Sequence, residues 1–104
     1  MSSPAFVTGS YAYGTPTDRS DLDVVVLVED DETSTLLQQH ADTQKGSTPD
    51  SLVFGKMNLI IVGSRAWYDC WYDGTQALIA RRPVTRDEAK AYLNTLEKER
   101  GLSI

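Results

Sequence analysis

Two carboxylates one residue apart, Asp21 and Asp23, are the residues of this sequence best suited by type and spacing to chemistry. At the start of a β-strand, residues i and i+2 point to the same face, so the two charges lie close together and repel each other. A divalent cation between them removes this cost, and hard cations such as Mg²⁺ take oxygen ligands while keeping room for water or phosphate oxygens. The pair therefore predicts a site for Mg²⁺ (or Mn²⁺) with Asp21 and Asp23 as metal ligands.

A Gly-Ser turn, Gly9 and Ser10, precedes the carboxylates, and apolar runs at Ala5–Thr8 and Val24–Val28 bracket the whole segment. β-branched residues dominate both runs, which is typical of buried strands. Such a turn offers backbone N–H groups and a hydroxyl to a phosphate. Arg19 is a further candidate for nucleotide binding, since a guanidinium matches phosphate geometry; a solvated loop arginine is the alternative. The local chemistry predicted is metal plus phosphate.

The segment GSYAYGTPTDRSDLD, from Gly9 to Asp23, resembles the signature of the nucleotidyltransferase superfamily of polymerase-β type, and in particular its minimal nucleotidyltransferases. The match comprises Gly-Ser, ten residues, Asp-Leu-Asp and a following apolar strand; the rest of the chain agrees in element order. The resemblance implies transfer of a nucleoside monophosphate from a nucleoside triphosphate to a hydroxyl acceptor. In that role Asp21 and Asp23 hold metal ions, and Gly9 and Ser10 hold the β- and γ-phosphates.

The third catalytic carboxylate of the resembled family is replaced by an amide. In the family that group takes the proton of the attacking hydroxyl and holds one of two metal ions, and the matching position is Asn58, in the strand KMNLIIVG. Asparagine coordinates a cation through its amide oxygen but is no base near neutral pH. General-base catalysis contributes about 10²–10⁴ in rate. The resemblance therefore predicts a weak transferase with catalytic residues Asp21, Asp23 and Asn58, and Asp50 is the alternative base.

Two other functions compete with a weak transferase. The first is a nucleotide-binding module that keeps the metal and lacks the base. The second is a protein-interaction domain that docks through a helix carrying Trp67 and Trp71, which predicts an exposed aromatic patch. By resemblance, minimal members act with a small helical partner protein, often in toxin–antitoxin pairs, so a protein partner is predicted without being identified.

Length, net charge and cysteine content disfavour several classes of function. A chain of 104 residues is expected to form a single domain over residues 1–104. The net charge of −5 disfavours a generic nucleic-acid-binding surface, which depends on neutralising phosphates. One cysteine, Cys70, excludes an internal disulfide and fits a reducing cytosol. The N-terminus has no signal-peptide pattern, and no run is long enough to span a membrane. We therefore expect a cytoplasmic protein without a membrane partner.

The predicted architecture is an α/β (α+β) domain, a small mixed sheet with helices mainly on one face. The fourth helix has a capping box at Thr85 and carries Lys90 on a solvated face. In the third helix, an apolar stripe toward the sheet comprises Trp67, Cys70, Trp71, Gly74 and Leu78. The predicted strands are Ala5–Thr8, Asp21–Val28, Ser51–Phe54 and Met57–Val62. The predicted helical segments are Ser10–Tyr13, Ser34–Ala41, Arg65–Arg82 and a last helix that ends near Arg100. Asp31 or Thr33 is the predicted cap of the helix Ser34–Ala41.

Overall fold

The secondary structure follows the predicted order. The structure, a computed structural model, describes residues 4–43, 46–48 and 50–102. The elements are β1 (Ala5–Thr8), α1 (Ser10–Tyr13), β2 (Leu22–Leu27), α2 (Asp31–His40), β3 (Ser51–Phe54), β4 (Met57–Val62), α3 (Arg65–Ala80) and α4 (Arg86–Glu99). The helices pack around a single sheet in the described residues, which confirms the α+β class.

Within the described residues, the strands form one mixed sheet in the order β1-β2-β4-β3. The central strands β2 and β4 run parallel, while β1 and β3 join them as antiparallel edges. The register pairs Asp23 with Asn58 on one side and with Thr8 on the other. Paired residues share a face of the sheet. Three polar side chains from three strands therefore lie side by side.

Helices cover both faces of the sheet, with most of them on the face that carries Asp23. On that face, Tyr68 of α3 packs on Val25 and Leu27. Both α1 and α4 then pack on α3. On the opposite face, α2 covers the sheet through Leu37 and Ala41. The buried core residues beneath α2 are Val26, Val28, Leu52 and Leu59. The predicted placement of helices mainly on one face is confirmed.

The start of α2 differs from the sequence-based expectation. The helix begins at Asp31 instead of Ser34, and Asp30 caps it by accepting a hydrogen bond of 2.6 Å from the backbone N–H of Thr33. Acidic side chains in the first turn interact favourably with the positive end of the helix dipole. Asp31 and Glu32 therefore belong to the first turn of the helix, and Asp30 is its cap.

The ends of the other elements also shift slightly. β2 is shorter than predicted by one residue at each end, and α4 ends at Glu99, just before Arg100. α3 ends at Ala80, two residues before the predicted end, because the next two N–H groups bond three residues back in a tightened last turn. The predicted Thr85 cap is confirmed: its hydroxyl accepts from the N–H of Glu88 at 3.2 Å.

The buried face of α3 differs in part from the predicted stripe. Its buried residues are Tyr68, Cys70, Gly74, Thr75 and Leu78, whereas Trp67 and Trp71 are half-buried. The buried arc is rotated and widened because α3 packs on the sheet on one side and on α4 on the other. Gly74 sits where α4 comes closest, since a Cβ there would lie 2.5 Å from Leu93 Cδ2.

Candidate active site

A cleft of about 1020 Å³ opens on the face of the sheet that carries Asp23. The first residues of the parallel strands, α1, α3 and the N-terminal half of α4 all contribute to its wall. The predicted site residues that line it are Gly9, Ser10, Asp21, Asp23 and Asn58. Arg19 is exposed in the loop before β2 and does not line the cleft, nor does Asp50. The structure therefore brings together all the predicted site residues except Arg19.

Asp23 ends a hydrogen-bonded row of side chains across the sheet, with Asn58 in the middle and Ser51 at the other end. Asn58 Nδ2 donates to Asp23 Oδ1 at 3.2 Å, and Ser51 Oγ donates to Asn58 Oδ1 at 2.5 Å. The pKa of Asp23 is raised, mainly because burial penalises its charged form, with a further contribution from the Asp21 charge. The Asn58 hydrogen bond and the positive charge of Arg86 oppose this rise. The amide of Asn58 thus acts as a donor to the carboxylate while its own oxygen is engaged by Ser51.

The turn after β1 passes directly against the Asp23 carboxylate. Gly9 has φ +73°, a left-handed conformation that glycine adopts without steric cost. A Cβ at Gly9 would overlap the Asp23 carboxylate and lie 3.1 Å from its Cγ. The Gly9 carbonyl accepts from the N–H groups of Ala12 and Tyr13, at 3.0 and 3.1 Å. The backbone of the Gly-Ser turn is therefore held close to the carboxylates by α1.

A buried cluster of hydroxyl groups supports this turn from behind. Thr8 and Thr75 share a hydrogen bond of 2.9 Å between their Oγ1 atoms, and both are almost fully buried. Tyr13 is buried next to them. Its pKa is raised mainly by burial and partly by the Asp23 charge, while hydrogen bonding to Thr8 lowers it. This cluster is not predictable from the sequence, because nothing local indicates that Thr75 meets Thr8.

Three polar residues of α4 also line the cleft and were missed as site residues. Arg86, Lys90 and Asn94 recur every four positions, so they share one face of the helix. The prediction that Lys90 lies on a solvated face is confirmed, since the residue is exposed, and the structure adds that it lines the cleft. The four-residue spacing was readable in the sequence, whereas the direction of that face depends on how α4 packs on α3.

The donor chemistry at the site fits one hard divalent cation. In the ranges that the structure describes, no group of three or more His, Cys, Asp or Glu side chains converges. Asp21 is exposed and Asp23 is half-buried, so carboxylate oxygens face the cleft. Mg²⁺ commonly binds through one or two carboxylates and fills its shell with water and phosphate oxygens. Asp21 and Asp23 suffice for such a site, while a third carboxylate is not supplied.

The two tryptophans of α3, Trp67 and Trp71, do not form the exposed patch predicted for a docking domain. Trp67 and Trp71 are half-buried, and Trp71 Nε1 donates to Glu97 Oε1 at 2.8 Å. Trp71 also lines the cleft. Among the described residues, the large apolar side chains that are exposed are Val7, Tyr11, Leu36 and, on α3 itself, Tyr72. The described helices include none that is long and apolar enough to cross a membrane.

Comparison with known proteins agrees with this arrangement. A family model described as "Nucleotidyltransferase domain" matches residues 4–62, more than half of the chain. The matched segment runs from β1 to β4 and contains both carboxylates, the Gly-Ser turn and Asn58. Neither the curated proteins nor the solved structures include a significant match to the chain.

Proposed function

The chain belongs to the nucleotidyltransferase domain family, and from this premise we propose that it transfers a nucleoside monophosphate from a nucleoside triphosphate to a hydroxyl acceptor. The supporting observation is the position of Asp21 and Asp23 beside the Gly9–Ser10 turn in one cleft. The proposed reaction depends on Mg²⁺ or Mn²⁺. Carboxylates that hold a cation next to a turn suited to phosphate are what this reaction requires.

The proposed step is a displacement at the α-phosphorus. The acceptor oxygen attacks, a new bond forms between that oxygen and the α-phosphorus, and the bond to the oxygen bridging to the β-phosphate breaks. Pyrophosphate leaves with the electron pair of the broken bond. When a divalent cation is bound, it neutralises phosphate charge and makes the acceptor hydroxyl more acidic. The hydroxyl proton passes to water, because the Asn58 amide is not a base.

The protein groups bind the cation and the phosphates in the proposed reaction. Asp21 and Asp23 hold the cation, and Asn58 holds the Asp23 carboxylate in place through its 3.2 Å hydrogen bond. Gly9 and Ser10 bind the β- and γ-phosphates through backbone N–H groups and the Ser10 hydroxyl. Arg19 lies outside the cleft lining, so its contribution to nucleotide binding requires loop movement or a substrate that extends beyond the cleft.

A second candidate function is nucleotide binding without transfer, and the chemical nature and hydrogen bonding of Asn58 favour it. The amide replaces a carboxylate, and its oxygen accepts from Ser51 instead of facing the cleft freely. Such a protein binds the triphosphate with its metal and releases it unchanged. The small helical partner, the cytoplasmic location and the single domain over residues 1–104 stay predictions beside either function.

Label transfer tests the proposed function. The natural protein, Asn58→Asp and Asp21→Ala are each incubated with an α-labelled nucleoside triphosphate, Mg²⁺ or Mn²⁺ and a cell extract that supplies acceptors. We expect slow transfer by the natural protein and none by Asp21→Ala. Asn58→Asp should be faster by about 10²-fold, the lower end of the range for a general base. Asp18→Ala, which removes an exposed acid outside the cleft, is the matched control.

The outcomes separate the two candidate functions. Transfer only by Asn58→Asp identifies the natural chain as a nucleotide-binding module whose missing base has been located. Equal transfer by the natural protein and by Asp21→Ala contradicts the assigned site. Absence of transfer from both active forms, together with absence of metal-dependent nucleotide binding, contradicts the nucleotidyltransferase function itself.

A further inference from the structure

Two basic side chains face the cleft from α4, and the chemistry proposed above does not use them. Arg86 is the first residue of α4, and Lys90 follows one turn later on the same side. Both are exposed and both line the cleft, together with Asn94 one turn further on. Their shared direction means that two positive charges are presented to the same space as Asp21 and Asp23.

Neither cation is explained by an interaction within the fold. In the described part of the chain, the salt bridge present joins Arg100 to Asp73, and neither Arg86 nor Lys90 forms one. A cation in the first turn of a helix is electrostatically unfavourable, because the helix N-terminus is itself partly positive. Arg86 nevertheless occupies that position and is close enough to Asp23 to influence it electrostatically. Its charge is therefore not accounted for by helix stability.

The substrate of the proposed reaction supplies a partner for these charges. A triphosphate brings several negative charges into a cleft that already holds two carboxylates, in a chain with a net charge of −5. Local cations are needed to offset that repulsion. An arginine guanidinium binds phosphate oxygens in a bidentate manner, and a lysine ammonium does so as a point charge.

We infer that Arg86 and Lys90 bind the polyphosphate chain of the nucleoside triphosphate, as a second anchor in addition to Gly9 and Ser10. This inference rests on the proposed function and deepens it, since it assigns two substrate-binding residues outside the segment that the family model matches. Because the pyrophosphate portion leaves during transfer, the same two cations also stabilise the charge that develops on the leaving group.

Binding of inorganic triphosphate and of Mg²⁺–ATP, measured by calorimetry, tests the inference without requiring turnover. The variants are Arg86→Gln, Lys90→Gln and the double variant. Lys98→Gln is the matched control, because it removes one positive charge from the same helix at an exposed position outside the cleft lining. We expect each single variant to weaken both ligands by about 10-fold or more, as loss of a charged hydrogen bond does. Lys98→Gln should bind like the natural protein.

The outcomes distinguish this inference from the proposed function. If Mg²⁺–ATP binds to the natural protein and Asp21→Ala weakens it, but the α4 variants bind as tightly as Lys98→Gln, the inference is wrong and the proposed function stands. If neither ligand binds the natural protein, both fail. Single-stranded RNA is measured as a third ligand. If the α4 variants weaken the binding of RNA but not of triphosphate or Mg²⁺–ATP, the two cations bind an acceptor backbone and the triphosphate assignment is wrong. If Arg86→Gln does not fold, Lys90→Gln alone tests the inference. The Lys90 side chain is exposed, so its replacement should not disturb folding.

Discussion

Replacing Gly9 by alanine tests how closely the Gly9–Ser10 turn is fitted to Asp23. The substitution adds a single methyl group at a residue with φ +73°. That methyl overlaps the Asp23 carboxylate, which cannot withdraw easily because Asn58 holds it and the β-sheet fixes its backbone. We therefore expect two separable costs, one from the backbone conformation and one from the overlap.

The backbone cost can be measured elsewhere in the same molecule. Gly55, in the turn between β3 and β4, has φ +61°, and no atom lies within 4 Å of the position that its Cβ would occupy. Gly55→Ala should therefore show the conformational cost alone, about 1–2 kcal/mol. At Gly9 the overlap adds a strain of about 1–3 kcal/mol, as overpacking does in closely packed sites. The expected destabilisation by Gly9→Ala is about 2–5 kcal/mol.

A double-mutant cycle isolates the overlap. In an Asp23→Ala background the carboxylate that the methyl would meet is gone, so Gly9→Ala should cost about as much as Gly55→Ala. The coupling energy expected between positions 9 and 23 is about 1–3 kcal/mol. Denaturant unfolding of the four proteins in the cycle, with Gly55→Ala alongside, gives this value. Calorimetry with Mg²⁺–ATP adds the functional measurement, in which Gly9→Ala loses binding and Gly55→Ala keeps it.

Two results would refute the reasoning. If Gly9→Ala and Gly55→Ala destabilise equally, the turn relaxes away from the carboxylate and the close fit is not required. If the cycle shows no coupling while binding is still lost, Gly9 acts through its own backbone and not through the position of Asp23.

Two further predictions concern stability. Gly74→Ala should destabilise the protein by about 1 kcal/mol, because its Cβ would lie 2.5 Å from Leu93 Cδ2 at a buried contact and the cost of overpacking exceeds the gain in helix propensity. The control is Gln76→Ala, at an exposed position of the same helix. A higher unfolding midpoint for Gly74→Ala than for the natural protein would contradict this prediction. The pKa of Asp30 is lowered by its hydrogen bond to the Thr33 N–H, so the ionised form is favoured in the folded state. Its stabilisation is therefore present above the ordinary value of 3.8 and lost as the pH falls through the lower folded value. Asp30→Ala should accordingly lower the thermal midpoint at neutral pH and have a shrinking effect in acid; an effect independent of pH would contradict the cap.

Much of the fold is readable from local sequence. The strands Ala5–Thr8, Ser51–Phe54 and Met57–Val62 match their predicted bounds, because short apolar runs bounded by turn residues have few alternatives. The cap of α4 at Thr85 was equally local. These features depend on residues within a few positions of each other, which is the range over which propensity and capping act.

The features that sequence alone did not give depend on tertiary packing. The contact between Asn58 and Asp23 requires the parallel register of β2 and β4, which no local pattern specifies. The orientation of Arg86 and Lys90 toward the cleft depends on the angle at which α4 leaves α3. Burial of Thr75 similarly reflects a partner far away in the chain. The motif located the carboxylates and the Gly9–Ser10 turn, and the family resemblance located Asn58, whereas the α3 and α4 residues of the cleft were set by packing.

The hydrogen bond between Thr8 and Thr75 has a consequence for the order of events during synthesis. Its two ends are 67 residues apart, so the first strand leaves the ribosome long before its buried partner has been made. Contacts of such long sequence separation form late in folding, because the intervening chain must first be ordered. A chain interrupted before α3 cannot brace the turn that follows β1. The nucleotide binding proposed above therefore requires a chain that has been synthesised at least to the end of α3.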